Sequence, residues 1–145
     1  MILIWYHLQG VNMKLITRDT DYAVRALAFI AKHDREIVSV SQLVKCLKIP
    51  RPFLRKILQI LNRKRLLNSY KGQGGGFKLA VAPERIRLLD LIEVFQGRLR
   101  LNECIFKKRF CPNIKTCKLH KRLESIQRYV ISELKSITLL SLLKE

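Results

Sequence analysis

Residues 49–77 read IPRPFLRKILQILNRKRLLNSYKGQGGGF, and the fold is decided in this stretch. From about Arg51 to Lys64 the apolar residues Phe53, Leu54, Ile57, Leu58 and Leu61 recur at the spacing of one helix face. Pro52 falls in the first turn, where its missing N–H costs little. The opposite face carries Arg51, Arg55, Lys56, Arg63 and Lys64. Leu66 to Tyr70 then predicts a strand, Lys71 to Gly76 a turn, and Phe77 to Val81 the returning strand.

Upstream, Thr20 to Lys32 is helical, with Tyr22, Ala23, Ala26, Leu27 and Ile30 on one face and Asp19 or Thr20 as the cap. Val38-Ser39-Val40 is a short apolar stretch. Ser41 is expected to cap a helix from Gln42 to Leu47, with Leu43, Cys46 and Leu47 inward, and Lys48-Ile49-Pro50 makes a tight turn. Cys46 on that face reads as a buried small apolar residue. Downstream, Pro83 opens a helix from Glu84 to about Phe95 that Gly97 ends. Leu101 to Thr116 has no clear period. A last long helix starts near Cys117 or Lys118, with the stripe Leu119, Leu123, Ile126, Val130, Leu134 and Ile137. The expected class is mainly α with a small β-hairpin wing: a winged helix-turn-helix followed by a long C-terminal helix.

The charge points the same way. Lys and Arg number 29 against 11 Asp and Glu, a formal net charge of +18. So large an excess repels itself in the folded state, and its usual partner is a polyanion. No apolar run approaches the ~20 residues of a membrane span. Residues 1–12 lack the basic start and cleavage site of a signal peptide; Met13-Lys14-Leu15 reads like a second start, so 1–12 are expected to be an N-terminal extension or a mis-called start. A reducing, cytoplasmic compartment is expected.

In the helix-turn-helix frame, Arg51, Arg55 and Lys56 are the candidates to face a major groove, because Arg hydrogen-bonds guanine bidentately and Lys neutralises phosphates. Lys71 with Gly72, Gly74 and Gly75 is the candidate wing contact: a turn poor in side chains can come close to a DNA backbone. The glycine run is not a dinucleotide fingerprint, since Phe77 stands at the third glycine position. It is not a P-loop either, since no Gly-Lys-Ser/Thr follows.

Four cysteines remain, three of them close together. Cys104, Cys111 and Cys117 have gaps of six and five residues, and His120 follows Cys117 by three. Clustered cysteines in a reducing compartment read as metal-binding or redox-active. Thiolates suit iron–sulfur clusters and zinc. Zinc knuckles space their cysteines more tightly, so the wide gaps favour a cluster. Lys107, Lys108, Arg109, Lys115 and Lys118 would offset its negative charge.

Four stretches together carry a family resemblance: Asp21-Tyr22-Ala23-Val24-Arg25-Ala26-Leu27, Ile49-Pro50 to Leu58, Gly72-Gln73-Gly74-Gly75-Gly76-Phe77, and the spaced cysteines. In these the chain resembles the Rrf family of bacterial regulators, the group of IscR, NsrR and RirA, from Met13 to about Leu134. The resemblance implies a homodimer joined through the C-terminal helix, and a 2Fe–2S or 4Fe–4S cluster whose state controls DNA binding. It also implies two candidates for the fourth ligand: His120, placed as the ligating histidine of IscR-like members, and Asp21, placed as the aspartate that NsrR-like members supply from the partner subunit. The chain departs from the common pattern in one extra residue near the start and in its first cysteine gap, six residues where five is common.

The expected organisation is an extension over 1–12, a DNA-binding domain over 13–97, a cluster loop over 98–117, and a dimerisation helix with its tail over 118–145. The expected function is a repressor or activator on a palindromic double-stranded operator, its affinity set by a cluster sensing iron, redox or nitric oxide status. A cluster-free thiol or ligand sensor on the same fold is the alternative. A metalloenzyme would need a general base beside an open metal site, and the sparse carboxylates Glu103 and Glu124 offer no such motif. A sequence-blind packaging protein would not need the helix-turn-helix.

Overall fold

The computed structural model describes residues 14–101, 111, 113 and 115–144. The N-terminal extension and Cys104 lie outside them. The elements are α1 (Arg18–Lys32), α2 (Val40–Leu47), α3 (Arg51–Arg63), β1 (Leu67–Tyr70), β2 (Gly76–Leu79), a 3-10 turn (Pro83–Arg85), α4 (Leu88–Gln96), α5 (Lys118–Ser136) and α6 (Leu139–Lys144). Their order and the antiparallel β1–β2 hairpin make a winged helix-turn-helix with a C-terminal helical arm.

The main core is built where the helical stripes meet. Ala23, Ala26, Leu27 and Ile30 of α1 pack with Leu43 of α2 and with Leu54, Ile57, Leu58 and Leu61 of α3. Phe53 does not share that stripe: it is half-exposed, at 51%, because the packed side of α3 centres on the other four. Cys46 is also exposed, contrary to its reading as a buried residue. Leu43, Val44 and Leu47 form the packed side of α2, and Cys46 falls off that side.

Caps set the helix starts. Ser39, not Ser41, caps α2: its hydroxyl accepts from the Gln42 N–H (3.2 Å), while Gln42 Oε1 accepts from the Ser39 N–H (2.8 Å). The helix therefore starts at Val40, before the expected Gln42. At α1 the cap position is Thr17, and Thr20 is buried inside the first turn. One amide fastens this end of the molecule. Gln96 Oε1, at the end of α4, accepts from the Thr17 N–H (2.9 Å) and the Thr20 hydroxyl (2.7 Å), and its Nε2 donates to the Leu15 carbonyl (3.2 Å).

The expected helix from Glu84 to Phe95 is two pieces. Pro83 opens only the short turn, and the chain then runs extended through Ile86 and Arg87. Those residues pair with the C-terminal segment: the Leu88 N–H donates to the Ile137 carbonyl (2.9 Å) and the Leu139 N–H to the Ile86 carbonyl (2.8 Å). The same pairing ends α5 at Ser136, so Ile137 is extended and does not continue the helical stripe. Leu139 of α6 then enters the main core. A second, smaller core joins Leu88, Leu89 and Ile92 of α4 to Leu134 of α5.

β1 and β2 pair in register from Leu67 with Leu79 to Tyr70 with Gly76. Val38 adds a bridge to β2: its N–H donates to the Phe77 carbonyl (3.0 Å), and the Phe77 N–H donates to the Val38 carbonyl (2.8 Å). This seam leaves no room for a side chain at Gly76, where a Cβ would lie 2.2 Å from the Val38 carbonyl oxygen. The obstacle is backbone and cannot rotate away. Gly76→Ala should destabilise the protein by about 2–3 kcal/mol, measured by urea unfolding; an unchanged midpoint would show that the seam yields freely.

Candidate nucleic-acid interface and thiol site

With Leu54, Ile57, Leu58 and Leu61 held inward, the rotation of α3 is set, and its remaining face must point to solvent. Arg51, Arg55 and Lys56 are all exposed on it, as are Gln59, Asn62 and Arg63. Arg51 is steadied by donating from Nη2 to the Ser41 hydroxyl (2.9 Å), which ties the first turn of α3 to α2. Lys56 Nζ lies 3.7 Å from Asp19 Oδ2 of α1. Such an exposed pair is worth ~0–1 kcal/mol, so a phosphate could displace it.

The wing presents Lys71 and the turn from Gly72 to Gly75. The Gly75 N–H donates to the Gly72 carbonyl (3.0 Å). Gly74, at the third position, takes φ +76°, which the type II turn requires and which an L side chain resists. Gly72 and Gly74 have open space around them. A Cβ on Gly75 would meet the Tyr70 carbonyl oxygen at 2.4 Å, so that glycine closes the turn. The seven residues expected at a nucleic acid thus fall into two groups, one on α3 and one at the wing.

One further signal was available in the sequence. Between Glu36 and Glu84 there is no carboxylate, while Lys45, Lys48, Arg51, Arg55, Lys56, Arg63, Lys64, Arg65, Lys71 and Lys78 all lie there. That span is α2, α3 and the wing. A span with ten cations and no carboxylate of its own depends on other segments for neutralisation, and among the described residues only Lys56 finds it, at Asp19 of α1.

Cys111 and Cys117 precede α5 in the chain. Cys117 is the N-cap of α5, and its Sγ accepts from the His120 N–H (3.4 Å). His120 Nε2 lies 3.2 Å from Glu124 Oε1, one turn further on. Cys111 and Cys117 are both half-buried. Asp21 is engaged on its own helix, with Oδ2 2.9 Å from Arg25 Nε. Among the described residues no three His, Cys, Asp or Glu side chains converge as a metal site; Cys104 is outside them. Beyond the thiols, Leu119, Ile126 and Tyr129 of α5 are exposed at 68%, 53% and 67%. No helix among the described residues is long and apolar enough to cross a membrane.

Comparison with known proteins agrees with this frame. The family model Rrf2, described as an iron-dependent transcriptional regulator, matches residues 16–145. An HTH-type transcriptional regulator of Aquifex aeolicus is 32% identical over 84% of this chain and 86% of its own. Among solved structures, CymR, the global cysteine regulator of B. subtilis, superposes with a TM-score of 0.71 at 20% identity, covering 91% of this chain and 98% of that one. IscR of T. potens does so with 0.69 at 24% identity, covering 93% and 90%. At these identities the two structures speak for the fold alone.

If α3 enters a major groove on this face, Arg55→Glu should weaken binding to a specific duplex by several kcal/mol, since a base contact is worth ~1–3 kcal/mol and the new charge repels phosphate. A gel-shift titration with unchanged affinity would mean that a different edge of α3 meets the bases.

Proposed function

The chain belongs to the Rrf2 family of transcriptional regulators, and from that premise we propose that it acts as a homodimer on a palindromic operator, with an iron–sulfur cluster on Cys104, Cys111 and Cys117 setting its affinity. The observation that carries the DNA reading is the basic span without a carboxylate of its own that forms α2, α3 and the wing. Arg51, Arg55 and Lys56 read or neutralise the major groove, and Lys71 with the glycine turn reaches the flanking backbone.

The dimer reading rests on α5. Its C-terminal part is covered by α4, but Leu119, Ile126 and Tyr129 stay exposed along the rest. A second copy of the same helix would cover them, and two-fold symmetry would space the half-sites by about 34 Å or a multiple of it. Ile126→Asp should convert the dimer to monomer in sedimentation velocity at micromolar concentration; a wild-type protein that is already monomeric there would overturn the dimer.

The donor set before α5 fits a thiolate-ligated cluster. Cys111, Cys117 and the His120 imidazole are accessible soft or borderline ligands, and Lys115 and Lys118 offset negative charge beside them. When bound, such a cluster supplies a redox-active, nitric-oxide-reactive centre in 2Fe–2S or 4Fe–4S form. For the fourth position we favour His120 over Asp21. Glu124 can accept from Nε2–H, which leaves Nδ1 with its lone pair, whereas Asp21 already serves Arg25.

Residues 98–117 begin where α4 ends and finish where α5 starts. Holding the cysteines together would therefore bias both helices. At the end of α4, Gln96 grips Thr17 and Thr20 at the start of α1, and α1 packs against α3 in the main core. A tenfold change in operator affinity requires only ~1.4 kcal/mol along such a route.

Protein purified without oxygen should absorb in the visible, and its operator affinity should differ about tenfold or more from the apoprotein's. Equal affinities would make the site structural. Colourless protein that binds its operator fully would favour the cluster-free sensor. His120→Ala should alter the absorption and redox behaviour of the reconstituted protein; a change confined to Asp21→Ala would reverse the ligand preference.

A further inference from the structure

Two residues flanking α3 hold a backbone conformation that suits glycine. Lys48 ends α2 with φ +53° and Arg65 follows α3 with φ +58°; among the described residues they are the non-glycine positions with positive φ. In this left-handed region a Cβ crowds the following carbonyl oxygen, so each position is strained for a long side chain.

The hydrogen bonding shows what the fold asks of these positions. The Lys48 N–H donates to the Val44 carbonyl (3.0 Å), which closes α2. After α3, the Arg65 N–H donates to the Asn62 carbonyl (2.9 Å) and the Leu66 N–H to the Leu61 carbonyl (3.0 Å). That is a complete Schellman ending, with Arg65 at the position where glycine is usual. Only backbone atoms take part, so neither ending needs a side chain. Both side chains are exposed, and neither is committed to an ion pair or hydrogen bond among the described residues.

Their placement relative to α3 supplies a reason for the charge. A helix of 13 residues is about 20 Å long at 1.5 Å per residue, longer than the ~12 Å width of a major groove. Inclined in a groove that phosphate strands border on both sides, a helix of that length would bring the residues just beyond its ends towards them. We propose that Lys48 and Arg65 are phosphate contacts at the two ends of α3, cations standing where glycine would serve the fold better. This rests on the DNA-binding reading above.

A competing account is the helix dipole, which also favours cations at helix C-termini. The two accounts differ in sign. If the cations serve their helices, neutralising them lowers stability. If they serve DNA, replacement by asparagine, which tolerates the left-handed conformation, spares or raises stability and lowers affinity.

The test uses the full chain, its Lys48→Asn and Arg65→Asn variants, the double variant, and Lys135→Asn in the last turn of α5 as a control. Thermal midpoints and the affinity for a short duplex of random sequence are measured across a salt series. We expect midpoints equal to or above wild type. We also expect a plot of log affinity against log salt that is shallower by about 0.9 for each cation removed from the bound species, with the control as wild type. An unchanged slope in the double variant overturns the proposal, as does a fall in midpoint in both single variants. A wild-type chain with no affinity for the duplex would strike the DNA-binding reading itself.

Discussion

The inward seating of α3 is the constraint on which the rest depends. Leu54, Ile57, Leu58 and Leu61 are almost completely buried against α1 and its neighbours. Each such side chain contributes about 1.5–3 kcal/mol by leaving water, so the helix cannot turn about its axis without losing the core. The phase of the apolar stripe thereby dictates which cations face outward. Stability and recognition are two faces of one helix, and a change on one side is felt on the other only through that rotation.

The wing is held to the same core by backbone. Val38, just before α2, bonds in both directions to Phe77 of β2, so the hairpin is anchored at its base while the tip from Gly72 to Gly75 projects. The close approach at Gly76 is what makes this anchoring possible. The four glycines of the hairpin thus divide their work: Gly76 and Gly75 admit neighbouring backbone, and Gly74 and Gly72 supply positive φ. A reading of the run as merely open and flexible captures half of it.

At the other end, the molecule is closed by elements far apart in the chain. Gln96 satisfies the start of α1, and the segment from Ile137 to Leu139 pairs with Ile86 to Leu88. Residues 98–117 connect the end of α4 to the start of α5. The proposed switch draws on that geometry: a segment closed on a metal pulls on helices already locked to the DNA-reading half. The exposed part of α5, with Leu119, Ile126 and Tyr129, is the part of the arm nearest Cys117 in sequence, so the thiols and the proposed dimer face share a helix end.

What the sequence determined by itself was the architecture and the chemistry of its surfaces. Hydrophobic period placed α1, α3 and the hairpin, because each buries a stripe whose spacing is local. The glycine run and the net charge of +18 marked the wing and the polyanion partner. Only the tertiary structure decided the places where a distant segment overrides a local preference. Glu84 to Phe95 has helical spacing, yet Ile86 and Arg87 are drawn extended by pairing with the C-terminal segment. Cys46 and Phe53 are apolar enough for a core, yet the packed sides of α2 and α3 centre elsewhere. Ser39 displaces Ser41 as the cap because Gln42 can reach back to it. The left-handed turns at Lys48 and Arg65 carry no residue signature at all, since glycine is absent from both. They exist because the chain must turn from α2 into α3 and from α3 into β1, and the direction of each turn is a property of the packing.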